Sequence, residues 1–375
     1  MEGRGCGMRS MYVSDVGDGL CMAIDTFFGK IIQIDCGSSQ GSKVALKGLM
    51  NIYNHFNSPD VFMLSHFHMD HYNGLMFASS KSYFSHTWGI KEVYYPKIPN
   101  FPEKDEFMTC LFTMNLRLFG NETGIMEYDF LKAISRINRG RPFKYKPLSK
   151  GDVINIDETS FEVLWPPTEI DEKETKAVRD AINEFNIAME ADEGLKKLYE
   201  RVKSEGIFRG YFEEGLQKYP KENDNERENT HVSMNIEYKE KELPSVVKKA
   251  NDSLRKAANR LSLALLGGDG LLFLGDLESK EIKKVIGDLI TAGKKKFYTL
   301  VTPHHGTHWD NSLKNIKCIY SITSNGRRLC SHIKPEFKGI SRKSFATYFN
   351  GDIAIPQSLS KTFHRFYPRW FYDEY

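Results

Sequence analysis

The chain reads DVFMLSHFHMDH from Asp60 to His71, an apolar run followed at once by a polar stretch with three histidines and an aspartate. Pro59 bounds the run at its start. A short, continuous apolar run of this kind is typical of a strand buried on both faces, as in the core of a layered α/β protein. The polar stretch therefore predicts a cluster of functional side chains at the end of a core strand.

The spacing of the histidines indicates a metal site. On an extended segment, side chains two residues apart point the same way, so His66 and His68 can converge on one ion. The chain then turns, and Asp70 and His71 can face a second ion. Imidazole nitrogens and a carboxylate suit zinc, with manganese or iron as harder alternatives. An HxHxDH order at the end of a buried strand is hard to explain by packing, so we interpret it as metal binding.

Two later strand ends offer further ligands. The sequence LLFLGD places Asp276 directly after a strand and a glycine, where its carboxylate could bridge two ions, although a Gly-Asp pair is also a common turn. The sequence PHHG, residues 303–306, follows another apolar strand. Adjacent side chains of an extended chain point to opposite sides, so one of His304 and His305 could bind a metal while the other faces the substrate.

Composition excludes several classes of protein. The 375 residues include 52 basic and 49 acidic side chains, a net charge of +3 that neither marks nor excludes a nucleic-acid binder. Ordinary glycine and proline contents exclude collagen-like and disordered chains. The six cysteines are scattered, and we find neither a secretory signal nor an apolar stretch that could span about 30 Å of bilayer. We therefore expect a cytoplasmic protein with reduced thiols and no membrane association.

The HxHxDH stretch resembles the signature of the metallo-β-lactamase fold, and other landmarks resemble those of its ComEC-type branch. These landmarks are VSDVGDG (13–19), DCG (35–37), VLWPP (163–167), NRLS (259–262), LGD (274–276), HHG (304–306), and Ser324 and Asn325 with His332. The resemblance spans about residues 11 to 335. It implies a four-layer αββα sandwich that forms a single hydrolase domain over residues 1–375. We expect no membrane channel of the kind that accompanies such domains in competence proteins.

A long charged segment interrupts these landmarks, and we interpret residues 168–258 as a mostly helical insertion. Val178, Ile182 and Phe185 are spaced for one face of a helix, and Leu195 and Val202 continue a similar stripe. This pattern favours an amphipathic helical hairpin that packs on its own domain. The alternative is a surface that binds a protein partner or covers the substrate.

The resemblance also implies roles for the side chains. One ion would be bound by His66 and His68, and the other by Asp70, His71 and His304. The full set of expected metal ligands is His66, His68, Asp70, His71, Asp276 and His304, with Asp276 bridging and Asp35 orienting a ligating histidine. The expected catalytic residues are Asp70, which would align the attacking water, and His305 or His332, which would contact the substrate oxyanion or protonate the leaving group.

The usual third histidine of the superfamily is missing at its expected place. Asn259 and Ser262 fall where the ComEC-type branch carries an asparagine-serine motif, and we expect them to contact the substrate. The first ion could then lack a ligand, and a single ion is an open alternative to two. Three other histidines could fill the gap, although each is more typical of a loop or core position: His86, His231 and His308.

The expected cofactors are two divalent ions, Zn²⁺ or Mn²⁺, that hold a hydroxide and stabilise charge on a leaving oxygen. We expect a phosphodiesterase or nuclease acting on DNA or RNA, with Arg327 and Arg328 binding the phosphate backbone. They belong to a basic stretch that extends to Lys343, which could instead be a solvated charged face. The aromatic segment at residues 363–372 could stack bases or pack on the protein.

Two other functions remain open on the sequence. The first is a metallohydrolase of a small molecule, such as a lactone, an amide or a phosphocholine ester. The second is a non-catalytic subunit that binds a protein partner and uses metals for structure. The nearly complete set of ligands favours an enzyme over such a subunit.

Overall fold

The computed structural model describes residues 8–79, 88–119, 129–205, 211, 215–219 and 243–356. Within them the strands are β1 (Met8–Val13), β2 (Cys21–Thr26), β3 (Ile31–Cys36), β4 (Val61–Met63), β5 (Glu92–Pro96), β6 (Lys144–Leu148), β7 (Val153–Ile156), β8 (Thr159–Trp165), β9 (Gln217–Lys218), β10 (Ala264–Gly267), β11 (Leu271–Phe273), β12 (Lys296–Val301), β13 (Lys317–Thr323), β14 (Ser341–Ala346) and β15 (Ile353–Pro356). The helices are α1 (Ser42–His55), α2 (Asn73–Ser79), α3 (Lys104–Phe119), α4 (Phe130–Ile137), α5 (Glu172–Ala191), α6 (Glu193–Glu205), α7 (Ser245–Asn259), α8 (Ser279–Thr291), α9 (Phe337–Ile340) and α10 (Thr347–Asn350). His86, His231 and the aromatic segment at residues 363–372 lie outside the described residues.

The strands form two sheets. The first has the order β15-β1-β2-β3-β4-β5-β6-β9, and β3 to β6 are parallel. The second has the order β14-β13-β12-β11-β10-β8-β7, and β11 to β14 are parallel. The apolar run before the histidines forms β4, an interior strand that is buried throughout, as predicted. Loops that follow parallel strands gather at the carboxyl edge of a sheet, which is where ligand sites form in such folds.

The two sheets pack face to face, and helices cover both outer faces. Met22 of β2 and Val163 of β8 belong to one apolar cluster between the sheets. On the outside of the first sheet, Phe62 of β4 lies in a cluster with residues of α1 to α7. On the outside of the second sheet, Leu272 of β11 lies in a cluster with Ile282 of α8. The layers are therefore αββα, and the fold class predicted from the sequence is confirmed.

Residues 168–258 contribute α5, α6 and α7 to the helical layer on the first sheet. Asp171 and Glu174 form a capping box that starts α5. The predicted apolar faces of α5 and α6 are buried, and α5 packs on α3 and α7 while α6 packs on α3. Packing on the protein itself is therefore confirmed, and these apolar faces are not available to a partner. β9, within the same segment, adds an edge strand to the first sheet.

The described helices and cysteines give two further findings. No described helix is both long and apolar enough to cross a membrane. The described cysteines, at positions 21, 36, 110, 318 and 330, are free thiols. Cys21 and Cys36 lie opposite each other on the neighbouring strands β2 and β3.

Candidate metal centre

The turn after β3 lies directly against the HxHxDH turn. Asp35 has a φ of +54°, a left-handed conformation that costs free energy in residues other than glycine and often occurs at functional sites. A Cβ atom at Gly37 would lie 2.2 Å from the backbone oxygen of Asp70. Only glycine allows this approach without a shift of the turn. The DCG motif therefore brings Asp35 close to the histidines.

Asp35 is a buried carboxylate that contacts Ser65 and His71. Its Oδ1 accepts a hydrogen bond from the backbone N–H of Ser65 at 2.7 Å, and its Oδ2 lies 2.7 Å from Nδ1 of His71. Burial raises the pKa of Asp35. Burial would lower the pKa of His71, but the carboxylates of Asp276 and Asp35 raise it well above its usual value. Ser65 contacts Asp35, His66 and His71 through its hydroxyl, a role that sequence analysis missed although it precedes the first histidine directly.

His66 and His68 converge, as their spacing predicts. Nε2 of His66 lies 2.9 Å from Nδ1 of His68. Both rings are buried, and burial lowers the pKa of His66 well below its usual value and that of His68 to about 4. They are therefore neutral near pH 7, the form of imidazole that binds metals. Nε2 of His68 is buried and has no hydrogen-bond partner in the described structure.

Asp276 lies at the centre of the cluster. It follows β11 and Gly275, whose φ is +49° and where a Cβ atom would lie 2.6 Å from the oxygen of Leu263. Its Oδ2 is close to the Nε2 atoms of four histidines, at 3.5 Å for His305, 3.6 Å for His71, 3.7 Å for His304 and 4.0 Å for His66. Burial alone would raise the pKa of Asp276, but the imidazoles of His305 and His71 hold it well below its usual range.

The HHG turn differs from the extended chain that the sequence analysis assumed. His304 and His305 have φ values of +47° and +56° and form a tight left-handed turn after β12. Both Nε2 atoms therefore face Asp276, and the expectation that the two rings point to opposite sides is wrong. The ligand atom of His305 lies within 4.8 Å of those of Asp70 and His71. The place expected for His304 beside those two residues is thus taken by His305, because the turn directs the second ring towards them.

Three of these histidines share one arrangement. Nδ1 of His71 contacts Asp35, Nδ1 of His305 lies 3.0 Å from the carbonyl oxygen of Ser324, and Nδ1 of His304 contacts His308. In each ring the other nitrogen, Nε2, faces Asp276. Metal-binding histidines in proteins are held in this way by an outward hydrogen bond. The buried Nε2 atoms of His68 and His71, without hydrogen-bond partners in the described structure, also fit metal ligands.

Among the described residues, three groups have ligand atoms close enough to hold a metal ion. They are His66 with His71 and Asp276, Asp70 with His71 and His305, and Glu278 with His304 and His308. The first two groups share His71, and Oδ2 of Asp276 in the first group lies 3.5 Å from Nε2 of His305 in the second. The expected ligands are therefore brought together by the fold from three strand ends, with His305 added to them.

The αββα layers carry this cluster at the carboxyl ends of β4, β11 and β12. This layer order is the one that the resemblance of the sequence landmarks to the metallo-β-lactamase fold implies. No protein-family model matches the chain, and no curated protein matches it.

Several solved structures are similar to parts of the chain. A subclass B3 metallo-β-lactamase from a soil metagenome library is 14% identical over 42% of this chain and 49% of that chain, with a TM-score of 0.23. A long form RNase Z from yeast is 8% identical over 85% of this chain and 37% of that chain, with a TM-score of 0.39. A β-lactamase domain protein from Burkholderia ambifaria is 17% identical over 39% of this chain and 40% of that chain, with a TM-score of 0.23. The chain spans less than half the length of each.

Asn259 and Ser262 lie beside the cluster and are buried. Nδ2 of Asn259 donates a hydrogen bond to Oε1 of Glu278 at 3.2 Å. The β-carbon of Ser262 packs against Gly275, next to Asp276. Oδ1 of Asn259 and the hydroxyl of Ser262 have no hydrogen-bond partner in the described structure. Both side chains thus border the cluster with free polar atoms, but neither is exposed.

The loop that carries the expected Arg327, Arg328 and His332 is tied to the N-terminal glycine turn. Asp18 is buried, and its carboxylate accepts hydrogen bonds from the backbone N–H groups of Gly326 at 2.8 Å and residue 329 at 3.2 Å. The loop continues to residue 334, whose N–H donates to the oxygen of residue 306 in the HHG turn at 2.9 Å. Asp18 was missed, although it stands in the VSDVGDG landmark.

The structure does not bring His332 into the cluster. Its side chain is exposed, and its Nδ1 lies 3.3 Å from the hydroxyl of Ser331. Arg327 is also exposed, while Arg328 contacts Ser39 at 3.2 Å and lies 3.8 Å from Asp18. The three expected substrate contacts thus lie on a surface loop next to the HHG turn.

Arg255 of α7 is a cationic residue near the centre that the sequence did not single out. Burial is the main cause of the low pKa of His68 and His304, and the positive charge of Arg255 adds to it in both cases. The guanidinium lies 3.3 Å from Asp252, and its buried Nε has no hydrogen-bond partner in the described structure. The sequence pattern does not distinguish Arg255 from the other charged residues of α7.

Proposed function

We propose that the chain is a metal-dependent hydrolase with a dinuclear centre. The observation that carries the proposal is the carboxylate of Asp276 within 4.0 Å of four imidazole Nε2 atoms. Asp70, His71 and His305 would hold one ion, and His66 and His68 the other, with Asp276 between them. Such ions, Zn²⁺ or Mn²⁺, activate water for attack and stabilise negative charge on the leaving oxygen.

The chain's own residues would supply orientation and proton control. Asp35 and Ser65 hold the ring of His71 so that Nε2 faces Asp276. Burial keeps His66 and His68 neutral, so they need lose no proton to bind a metal at neutral pH. Asp70 lies at the surface of the cluster, where its carboxylate can align an attacking water. His332, exposed on the adjacent loop, can give a proton to the leaving group at the rim of the site.

We infer that the substrate is a phosphodiester, most simply in DNA or RNA. Arg255 places positive charge beside His68 and His304, and an unpartnered guanidinium nitrogen there fits a phosphate oxygen. Arg327 and Arg328 lie on the loop that adjoins the HHG turn and could follow the backbone of a nucleic acid. The resemblance of the landmarks to the ComEC-type branch supports the same substrate class, and we propose membership of that branch.

A cleavage assay with labelled nucleic acids tests the proposal. Purified protein, with its metal content measured, is incubated with single- and double-stranded DNA and RNA and added Mn²⁺ or Zn²⁺. The matched variants are His68→Ala/Asp70→Ala and His55→Gln, which removes an exposed histidine on α1 outside the cluster. Cleavage that survives in His55→Gln and disappears in the double variant supports a metallonuclease.

Two other results would each favour a different function. Hydrolysis of lactones, amides or phosphocholine esters by the metal-loaded protein, without cleavage of nucleic acid, would indicate a small-molecule hydrolase. Absence of hydrolysis of every class, from protein that carries metal and keeps its fold after metal removal, would favour a non-catalytic binding subunit. The apolar faces of α5 and α6 are buried, so a partner of such a subunit would have to bind elsewhere.

A further inference from the structure

His304 belongs to the centre through one ring nitrogen and contacts another histidine through the other. Its Nε2 lies 3.7 Å from Oδ2 of Asp276, and its Nδ1 lies 2.6 Å from Nε2 and 3.1 Å from Nδ1 of His308, so that the shorter of the two contacts is with Nε2. Nδ1 of His308 lies 3.1 Å from the carbonyl oxygen of Leu277. A carbonyl oxygen can only accept, so His308 carries its proton on Nδ1. Nε2 of His308 is then an acceptor, and His304 donates to it from Nδ1.

This arrangement of protons leaves His304 with a lone pair on Nε2. A neutral imidazole has one N–H and one lone pair, and the N–H is used by His308. The lone pair of His304 therefore points to the side of Asp276, where the other metal-ligand candidates lie.

Glu278 and Asn259 extend the chain of contacts away from the centre. Oε2 of Glu278 lies 3.7 Å from Nδ1 of His308, and Oε1 accepts a hydrogen bond from Nδ2 of Asn259 at 3.2 Å. Asn259 is buried at the end of α7, so it holds the carboxylate in place. A negative charge beside His308 makes its Nε2 a better acceptor for the proton of His304.

The ion expected at His66 and His68 has only two imidazole ligands besides Asp276. Sites that hold catalytic zinc usually provide three protein ligands and leave a position for water, and histidines are frequent among them. Asn259 stands where a third histidine would be expected from the resemblance, yet it contacts Glu278. His71 also lies beside His66 and Asp276, but the proposed function assigns His71 and His305 to the ion of Asp70. His304 is then the remaining described imidazole whose Nε2 approaches Oδ2 of Asp276, the oxygen that Nε2 of His66 also approaches.

We propose that His304 is the third imidazole ligand of the ion held by His66 and His68, and that His308 is a positioning residue for it. Glu278 and Asn259 support His308 in this role. The inference rests on the metal centre of the proposed function. It assigns the two neighbours in the HHG turn to different ions, with His305 on the ion of Asp70 and His71.

A separate ion between Glu278, His304 and His308 is the competing interpretation, since their ligand atoms also lie close together. Such an ion would need lone pairs from both rings at the point where one donates to the other. The contacts therefore favour hydrogen bonds over a third ion.

Metal binding by matched variants distinguishes these possibilities. Zn²⁺ affinity is measured by competition with a chromogenic chelator, the number of ions by elemental analysis, and ligand geometry by the visible spectrum of the Co²⁺ form. The variants are His304→Gln, His308→Ala, and His308→Gln, whose amide oxygen can still accept the proton of His304. Glu278→Gln removes charge at constant size, and His55→Gln is the control.

We expect two ions in the wild-type protein and a selective effect on one of them. His308→Ala should still bind two ions, with one affinity weakened about 10- to 100-fold. His308→Gln should recover most of that loss. Glu278→Gln, which keeps the size of the side chain and an oxygen beside His308, should weaken the affinity for the same ion and tests the inference independently of the folding of His308→Ala. His304→Gln should lose that ion and change the Co²⁺ spectrum. His55→Gln should match the wild type.

Three results would overturn the inference alone, and a fourth would overturn the proposed function as well. Unchanged affinities for both ions in His308→Ala and in Glu278→Gln would exclude positioning by His308. A wild-type count of three ions that falls to two in His308→Ala would establish the third site instead. Retention of two tight ions in His304→Gln would exclude His304 as a ligand. If the wild-type protein binds no divalent ion, the metal centre of the proposed function fails together with this inference.

Discussion

Nδ1 of His71 lies 2.7 Å from Oδ2 of Asp35, two residues that are 36 positions apart and both buried. The contact joins the turn after β3 to the turn after β4, and it directs Nε2 of His71 to Asp276 at 3.6 Å. A carboxylate on one side of an imidazole and a metal-ligand cluster on the other is the arrangement that orients ligating histidines. Asp35 therefore fixes the ring orientation on which the proposed metal centre depends.

Substitution Asp35→Asn should weaken metal binding without unfolding the protein. The amide keeps the size of the side chain but loses the charge that stabilises the N–H of His71. We expect the affinity for one ion to fall about 10- to 100-fold. Chelator competition with Zn²⁺ measures the change, and Asp180→Asn, an exposed position on α5, is the control. Equal affinities in Asp35→Asn and wild type would remove Asp35 from this role.

The metal-free protein should lose stability in acid because of His68. Burial lowers the pKa of this ring to about 4, from a usual value of 6.5, so the unfolded chain binds the proton more tightly than the folded protein. Its contribution to folding is therefore complete above pH 6.5 and is lost as the pH falls towards 4. Each pH unit in that interval costs up to about 1.4 kcal/mol.

Urea unfolding in the presence of a chelator, at pH values between 4 and 7, measures this loss. The variant His68→Gln cannot take up the proton and should show a shallower decline than the wild type. His71 contributes with the opposite sign, since its raised pKa favours the folded state at low pH, but it is common to both proteins. Parallel declines in the two proteins would contradict a buried, neutral His68.

Arg255→Gln should reduce hydrolysis of anionic substrates selectively. Loss of a charged hydrogen-bond donor to a phosphate costs about 1.5–3 kcal/mol, so kcat/KM for a phosphodiester should fall about 10-fold or more. Hydrolysis of a neutral ester should change little. Lys256→Gln, at the exposed neighbouring position on α7, is the matched control. A uniform fall for both substrates would indicate that Arg255 supports the fold and does not bind phosphate.

Gly37→Ala should destabilise the turn on which the centre is built. The new Cβ atom would lie 2.2 Å from the backbone oxygen of Asp70, so one of the two turns must shift. We expect a loss of about 1–3 kcal/mol, as for other substitutions that overfill a packed site. Gly287→Ala in α8 meets no atom within 4 Å and should instead add about 0.5–1 kcal/mol. Thermal and urea unfolding compare the two variants, and a neutral Gly37→Ala would refute the close approach.

Much of the architecture was accessible from local patterns. The apolar run at Asp60–Leu64 predicts an interior strand, and the stripe at Val178, Ile182 and Phe185 predicts a helix face buried on the protein. Both follow from hydrophobic periodicity, which depends only on neighbours along the chain. The convergence of His66 and His68 also follows from local geometry. These predictions are confirmed because tertiary packing acts in the same direction as the local pattern.

The sequence alone determined which residue types could form a metal centre, and at which strand ends they lie. Tertiary structure decided how they are combined. The left-handed turn at His304 and His305 sends both rings to Asp276, and no periodicity encodes that turn. Arg255, Glu278 and His308 reach the cluster only because α7, the segment between β11 and α8, and the loop after β12 pack beside one another. Spacing along the chain sets the direction of near neighbours, whereas contacts between distant segments depend on the packing of the whole core.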